Sequence, residues 1–135
     1  MRKIGFIGCG HMAKALIKGL KSSNSYELLG HDRNSKNIAW LKQEKIPFYT
    51  LKEVCHEADI LMICVKPKDM YDLCLEMKAY ISKELKIVSV AAGITLKNLK
   101  DALSEGKVYR AMPNIGAKHN PVSYTHLTLP TMELV

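Results

Sequence analysis

The sequence predicts an α/β fold, a doubly wound parallel sheet of the Rossmann kind with about six strands and helices on both faces. Three observations predict it. Apolar runs of strand length alternate with segments of helical spacing along the chain, the pattern of βαβ units. The first such pair is joined by Gly8-Cys9-Gly10-His11-Met12-Ala13, which has the form G-x-G-x-x-A. Asp32 closes the second apolar run, at the distance of about twenty residues that a dinucleotide fingerprint requires.

Taken in order, residues 3–7 read as the first strand, and the helix after them carries Met12, Ala15, Leu16, Gly19 and Leu20 on one face. Ser22-Ser23-Asn24-Ser25 breaks that pattern before a second strand at 26–30. Ser35 is expected to cap a helix over 36–45, with Ile38, Ala39 and Trp40 or Leu41 turned inward, and Pro47-Phe48-Tyr49 to form a third strand. Thr50-Leu51-Lys52-Glu53 has the spacing of a capping box and starts a short helix carrying Val54. The continuous apolar run 60–65 is a central parallel strand covered on both faces, ended by Lys66-Pro67-Lys68. A helix over about 69–80 places Met70, Leu73, Cys74, Met77 and Ile81 on one stripe, which reads as core. Strands at 86–90 and 107–111 flank a helix over 96–103 with Thr95 as its N-cap. In a doubly wound sheet ligands sit beyond the carboxyl ends of the strands, and loops 8–12, 31–34, 65–68, 91–95 and 112–114 all fall at that edge.

The first of those loops has a physical task at each position. Gly8 permits the tight turn, Gly10 lets the backbone approach a pyrophosphate, and Ala13 keeps the helix close to the strand. Free N–H groups and the helix dipole at His11 and Met12 favour the anion. At the end of the second strand, Asp32 suits the ribose hydroxyls of NAD, whereas Arg33, with Asn34 as a donor, suits the 2′-phosphate of NADP. The balance falls to NADPH, with NADH as the alternative.

Composition excludes other classes. A chain of 135 residues, 47% hydrophobic and 24% charged, is one domain's worth of ordinary globular sequence. The net charge of +7 comes from lysines scattered over helical segments with no interleaved aromatics, so no nucleic-acid partner is expected. No run has transmembrane length, and Met1-Arg2-Lys3 leads straight into the first strand, so neither a membrane partner nor a signal peptide is expected and the setting is read as cytoplasmic. Cysteines 9, 55, 64 and 74 lack paired C-x-x-C spacing, which predicts neither a metal site nor a disulfide framework.

Phe6-Ile7-Gly8-Cys9-Gly10-His11-Met12-Ala13, Cys64-Val65-Lys66-Pro67, Ala91-Ala92-Gly93-Ile94-Thr95 and Met112-Pro113-Asn114, in this order and spacing, resemble the amino-terminal domain of pyrroline-5-carboxylate reductase over residues 1–121. The resemblance implies an NAD(P)H-dependent reduction of the cyclic imine 1-pyrroline-5-carboxylate to proline, in a homo-oligomeric full-length enzyme. It also implies that Val65, Lys66 and Pro67 line the adenosine and ribose side, and that Ala92, Gly93 and Asn114 approach the nicotinamide. His11 departs from the asparagine more usual in the family and reads either as a pH-dependent donor to the phosphates or as a surface residue of the first helical turn. After Asn114 only Ala117 matches the family's usual threonine, proline and alanine. Lys66 is read as a cofactor contact rather than a proton donor, and no catalytic residue is assigned, because the family's second, helical domain would hold the substrate.

Residues 122–131, Val-Ser-Tyr-Thr-His-Leu-Thr-Leu-Pro-Thr, resemble the translation of a transposon-derived sequencing adapter read in frame, so 122–135 is expected to be a non-native, poorly packed tail, the alternative being a native strand with Tyr124, His126 and Thr128 on one face. Two other readings of the chain are another nicotinamide-dependent dehydrogenase, of the 3-hydroxy acid type, and a non-catalytic dinucleotide-binding module.

Overall fold

A computed structural model describes residues 1–90, 94–111 and 132–134. Strands β1 (Arg2–Ile7), β2 (Tyr26–His31), β3 (Ile60–Ile63), β4 (Lys86–Ser89) and β5 (Lys107–Ala111) alternate with helices α1 (His11–Ser23), α2 (Ser35–Gln43), α3 (Leu51–Glu57), α4 (Pro67–Met77) and α5 (Leu96–Leu103). A last strand, β6 (Met132–Leu134), follows. They form one sheet in the order β2-β1-β3-β4-β5-β6, with β1 to β5 parallel and β6 antiparallel to β5.

The sheet is apolar on both faces because successive side chains of a strand point to opposite sides. Ile4, Phe6, Ile60 and Met62 pack with Leu16, Ile17 and Leu20 of α1 and Leu41 of α2. Ile7, Leu61 and Ile63 pack on the other face with Val54 of α3, Met70, Cys74 and Met77 of α4 and Leu99 and Leu103 of α5. Burial on both sides explains why 60–65 reads as an unbroken apolar run rather than an alternating one, although the strand itself ends at Ile63, two residues earlier than expected.

Several expectations need correction. Residues 47–49 do not form a strand; they make a single parallel bridge, Phe48 to Gly30. Pro47 offers only its carbonyl, which accepts from Gly30 N–H at 2.9 Å, so the pairing starts at a residue that cannot donate. The described sheet nevertheless has six strands, because β6 adds to its edge beside β5; residues 112–131 and 135 lie outside those described. The buried stripe of α1 is Ala13, Leu16, Ile17 and Leu20, one position round from the expected face, and Met12 is 37% exposed. Ala13 decides this, since its small side chain lets the helix come down onto the sheet and is 0% exposed. The cap of α2 is Asn34 rather than Ser35: its side chain accepts from the N–H groups of Lys36 and Asn37. α4 begins at Pro67 and ends at Met77, which leaves Ile81 beyond it, although Met70, Cys74 and Met77 are buried as expected.

The capping box on Thr50 and Glu53 and the Thr95 cap of α5 are both present. Among the described residues no helix is long and apolar enough to cross a membrane. No group of metal-ligating side chains gathers among them either.

Candidate nucleotide site

The chain order of the strands reverses between β1 and β3: β2 lies to one side of β1, and β3, β4 and β5 follow on the other. Loops leaving the carboxyl ends of β1 and β3 therefore diverge to opposite faces, and a crevice opens between them. A cleft of about 540 Å³ lies there. It is lined by Gly8, Cys9, Gly10, His11 and Lys14 from β1 and α1, by His31, Asp32, Arg33, Asn34 and Asn37 from β2 and α2, and by Cys64, Val65, Lys66 and Lys68 from the start of α4.

Gly8 makes the turn. Its φ is +87°, a left-handed conformation that favours glycine, and an added Cβ would meet Val65 Cγ1 at 2.9 Å and the Cys64 carbonyl carbon at 3.0 Å. Its N–H donates to the His31 carbonyl at 2.9 Å, and the Cys64 N–H donates to Ile7 at 2.8 Å, so the turn is fixed between β2 and β3. Gly10 differs. Its φ of −79° suits any residue, and an added Cβ would meet nothing within 4 Å. No packing within the protein requires a glycine there, while the side chain it lacks would project into open space at the amino end of α1. That end also has no side-chain cap and no acidic residue in its first turn. These features fit the approach of an anion to backbone N–H groups.

Asp32 ties the turn to α2. Its Oδ2 accepts the Cys9 N–H at 2.6 Å and Asn37 Nδ2 at 3.0 Å, and Oδ1 accepts the Asn34 N–H at 2.7 Å. Partial burial alone would raise its pKa, but the hydrogen bonds from Asn34, Cys9, Asn37 and Arg33 outweigh it and hold the carboxyl below its ordinary value. Beside it, burial first and then the Asp32 charge push the Cys9 thiol up to about 12, so it stays a neutral core thiol and not a nucleophile. His31 Nδ1 lies 2.9 Å from the Tyr49 carbonyl. A carbonyl can only accept, so Nδ1 carries the proton. Lys14 sits with its ammonium 5.5 Å from the centre of the Trp40 ring, a cation–π contact that holds a positive charge at the cleft wall.

Of the residues singled out from sequence, the cleft gathers Gly8, Gly10, His11, Asp32, Arg33, Asn34, Val65 and Lys66. Ala13 is buried beneath it. Met12 is not among its lining residues, and Pro67 lines a separate groove of about 690 Å³ between α4 and α5. Ala92, Gly93 and Asn114 lie outside the described residues. Sequence reasoning missed Lys14 and Asn37. Lys14 stands one helical turn beyond His11, and Asn37 three residues beyond the cap Asn34, positions that face the same way as the residue one turn before them.

Residues 3–93 match the family model described as NADP oxidoreductase coenzyme F420-dependent. The chain belongs to that family. It is 36% identical over 125 residues to pyrroline-5-carboxylate reductase of Escherichia coli (strain K12), a match covering 88% of this chain and 46% of the relative. Its fold superposes on 1-pyrroline-5-carboxylate reductase from Streptococcus pyogenes with a TM-score of 0.74 at 28% identity, over 87% of this chain and 44% of that one. Pyrroline carboxylate reductase from Plasmodium falciparum, solved with NADP bound, has the same fold at 24% identity and a TM-score of 0.75, over 87% of this chain and 44% of that one. The five parallel strands and their helices are thus those of a nicotinamide-dinucleotide-binding domain, and the chain spans about half the length of the relatives it matches.

Proposed function

We propose that this chain is the cofactor-binding half of an NADPH-dependent reductase that converts 1-pyrroline-5-carboxylate to proline. The observation that carries the reading is the unfilled space at Gly10, at an uncapped helix amino terminus in the switch-point crevice. The similarity to the Escherichia coli reductase supplies the substrate.

The residues present fit the group. Gly10, His11 and Met12 would present backbone N–H groups to the pyrophosphate, with Gly8 making the turn and Ala13 setting the helix against the sheet beneath them. Arg33 and the Nδ2 donor of Asn34, whose Oδ1 is spent on the cap, would take the 2′-phosphate. Val65, Lys66 and Pro67 would border the adenosine ribose, and Ala92, Gly93 and Asn114 the nicotinamide. The bound dihydronicotinamide supplies a hydride to the imine carbon while the imine nitrogen takes up a proton. The chain's own share of that chemistry is orientation, and its scattered positive charge draws a polyanion towards the cleft.

Residues 1–121 would form the domain, and 122–135 a tail foreign to the native gene, testable by sequencing the locus from an uninterrupted clone: finding the same decapeptide there would refute it. A reducing, cytoplasmic setting agrees with the free Cys9, Cys55, Cys64 and Cys74.

The decisive experiment is a steady-state assay of the protein restored to the length of its relatives, with 1-pyrroline-5-carboxylate and each nucleotide. Turnover with NADPH is expected. Nucleotide binding without turnover would refute the substrate and leave a 3-hydroxy acid dehydrogenase or a binding module as the better readings.

A further inference from the structure

The chain carries an acidic residue where a nicotinamide domain that takes NAD would hold the adenosine ribose, yet that residue is used otherwise. We propose that Asn37 sets the cofactor choice by holding the Asp32 carboxylate against the Gly8–Gly10 turn, out of reach of the ribose, so that a 2′-phosphate is accepted next to Arg33. This inference rests on the reading of the cleft as a nicotinamide-nucleotide site.

A carboxylate has about four lone-pair sites, and to receive both hydroxyls of a ribose diol it must turn both oxygens outward. Here the protein already supplies donors to both oxygens: Cys9 N–H and Asn37 Nδ2 on Oδ2, Asn34 N–H on Oδ1, and the Arg33 N–H beside them. The Asn34 bond is local and would form in most loops of this shape. The Cys9 and Asn37 bonds tie Asp32 to different elements, the turn after β1 and the first turn of α2. The carboxylate is therefore a latch between the two loops that border the cleft. Its charge remains, but the dipoles of these N–H donors oppose it, which lowers the repulsion that a phosphate on the ribose would otherwise meet. Arg33, one residue on, is exposed and lines the same cleft.

Asn37 is thus a positioning residue: it acts through Asp32. It is also the one member of the latch that can be changed without altering a charge or the glycine turn. In Asn37→Ala, Asp32 keeps its backbone donors, loses its one side-chain donor and gains freedom to turn outward. The expected outcome is that NADH binds more tightly and NADPH more weakly, the ratio of their dissociation constants moving towards NADH by about tenfold, the effect of one hydrogen bond to a charged group. Equal weakening of both nucleotides would show that Asn37 merely supports the fold and would overturn the proposal. Asp32→Asn gives the second reading. A latch predicts that both nucleotides change by the same factor, or that NADPH improves. A selective loss of NADH would make Asp32 a ribose ligand and overturn the proposal as well.

A third measurement needs no nucleotide. The Cys9 amide resonance should titrate with Asp32 in the wild-type chain, and a Cys9 amide indifferent to that titration ends the latch alone. A folded wild-type chain that binds neither NADH nor NADPH would instead end the nucleotide reading, and the claim on cofactor choice with it.

Discussion

Gly8 and Gly10 look equivalent in the sequence and are not equivalent in the fold. At Gly8 both the positive φ and the 2.9 Å approach to Val65 demand glycine, so Gly8→Ala should destabilise the chain by about 1–3 kcal/mol, read by urea denaturation. At Gly10 the protein demands nothing: Gly10→Ala should leave stability unchanged or slightly raised, since alanine restricts the unfolded chain. The same variant should lose nucleotide affinity by tenfold or more in calorimetric titration, because the new methyl occupies the space the pyrophosphate needs. Unchanged affinity would count against the cradle. Arg33→Ala is the complementary test, expected to weaken NADPH by about 1.5–3 kcal/mol, the range for a charge-assisted bond, while NADH changes little. Asp32 adds a pH dependence whose sign follows from its lowered pKa. The folded carboxyl stays ionised below the ordinary aspartate value of 3.8, so its contribution is present above that pH and is lost as pH falls through the lower folded value. Wild type and Asp32→Ala should therefore differ in stability at neutral pH and converge in strong acid, a comparison that denaturant melts at a series of pH values would make.

The helix starts show how far local chemistry reaches. The box on Thr50 and Glu53 joins residues three apart, with Thr50 N–H donating to Glu53 at 2.9 Å and Glu53 N–H to Thr50 at 3.2 Å, and nothing beyond that segment is needed to form it. It was legible for that reason. Thr50→Ala should cost about 1 kcal/mol, measured in the same denaturant series, and Thr95→Ala a similar amount through α5. The cap on α2 fell one residue away from Ser35 because both residues are good caps, and Asn34 is placed by its own N–H bond to Asp32. Residues 47–49 have strand composition but only Gly30 to pair with, and a proline at their start. The apolar period fixes a stripe on α1 to within one position, and the close contact of Ala13 with the sheet decides which one. In the site, Gly8, Asp32 and Arg33 announced themselves by residue type at a known spacing. Asn37 and Lys14 did not, because their partners Asp32 and Trp40 are supplied by another turn or another helix, and a single sequence carries no trace of such a pairing.

At the scale of the whole molecule, the sheet order brings the β1 and β3 loops to one crevice, and the two apolar faces of the sheet, each covered by helices, hold that crevice rigid. On the proposed reading the residues described at the crevice would serve the cofactor's side of a hydride transfer. Gly10, Arg33, Asn34 and Lys14 border the cleft, and burial first and then the Asp32 charge hold the nearby Cys9 thiol neutral. The relatives are about twice as long, and on the proposed reading the substrate's side of the reaction would belong to the length this chain does not span. Binding and turnover should therefore separate cleanly. The 135-residue chain should bind NADPH, in a titration weakened by salt because the contacts are ionic, and should show no oxidation of NADPH when 1-pyrroline-5-carboxylate is added. Joining it to the remaining half of such a reductase should restore turnover without tightening NADPH by more than a few-fold, since the cofactor's contacts lie on this side. Measurable turnover by the 135-residue chain alone would place a substrate-orienting group within it and contradict that division.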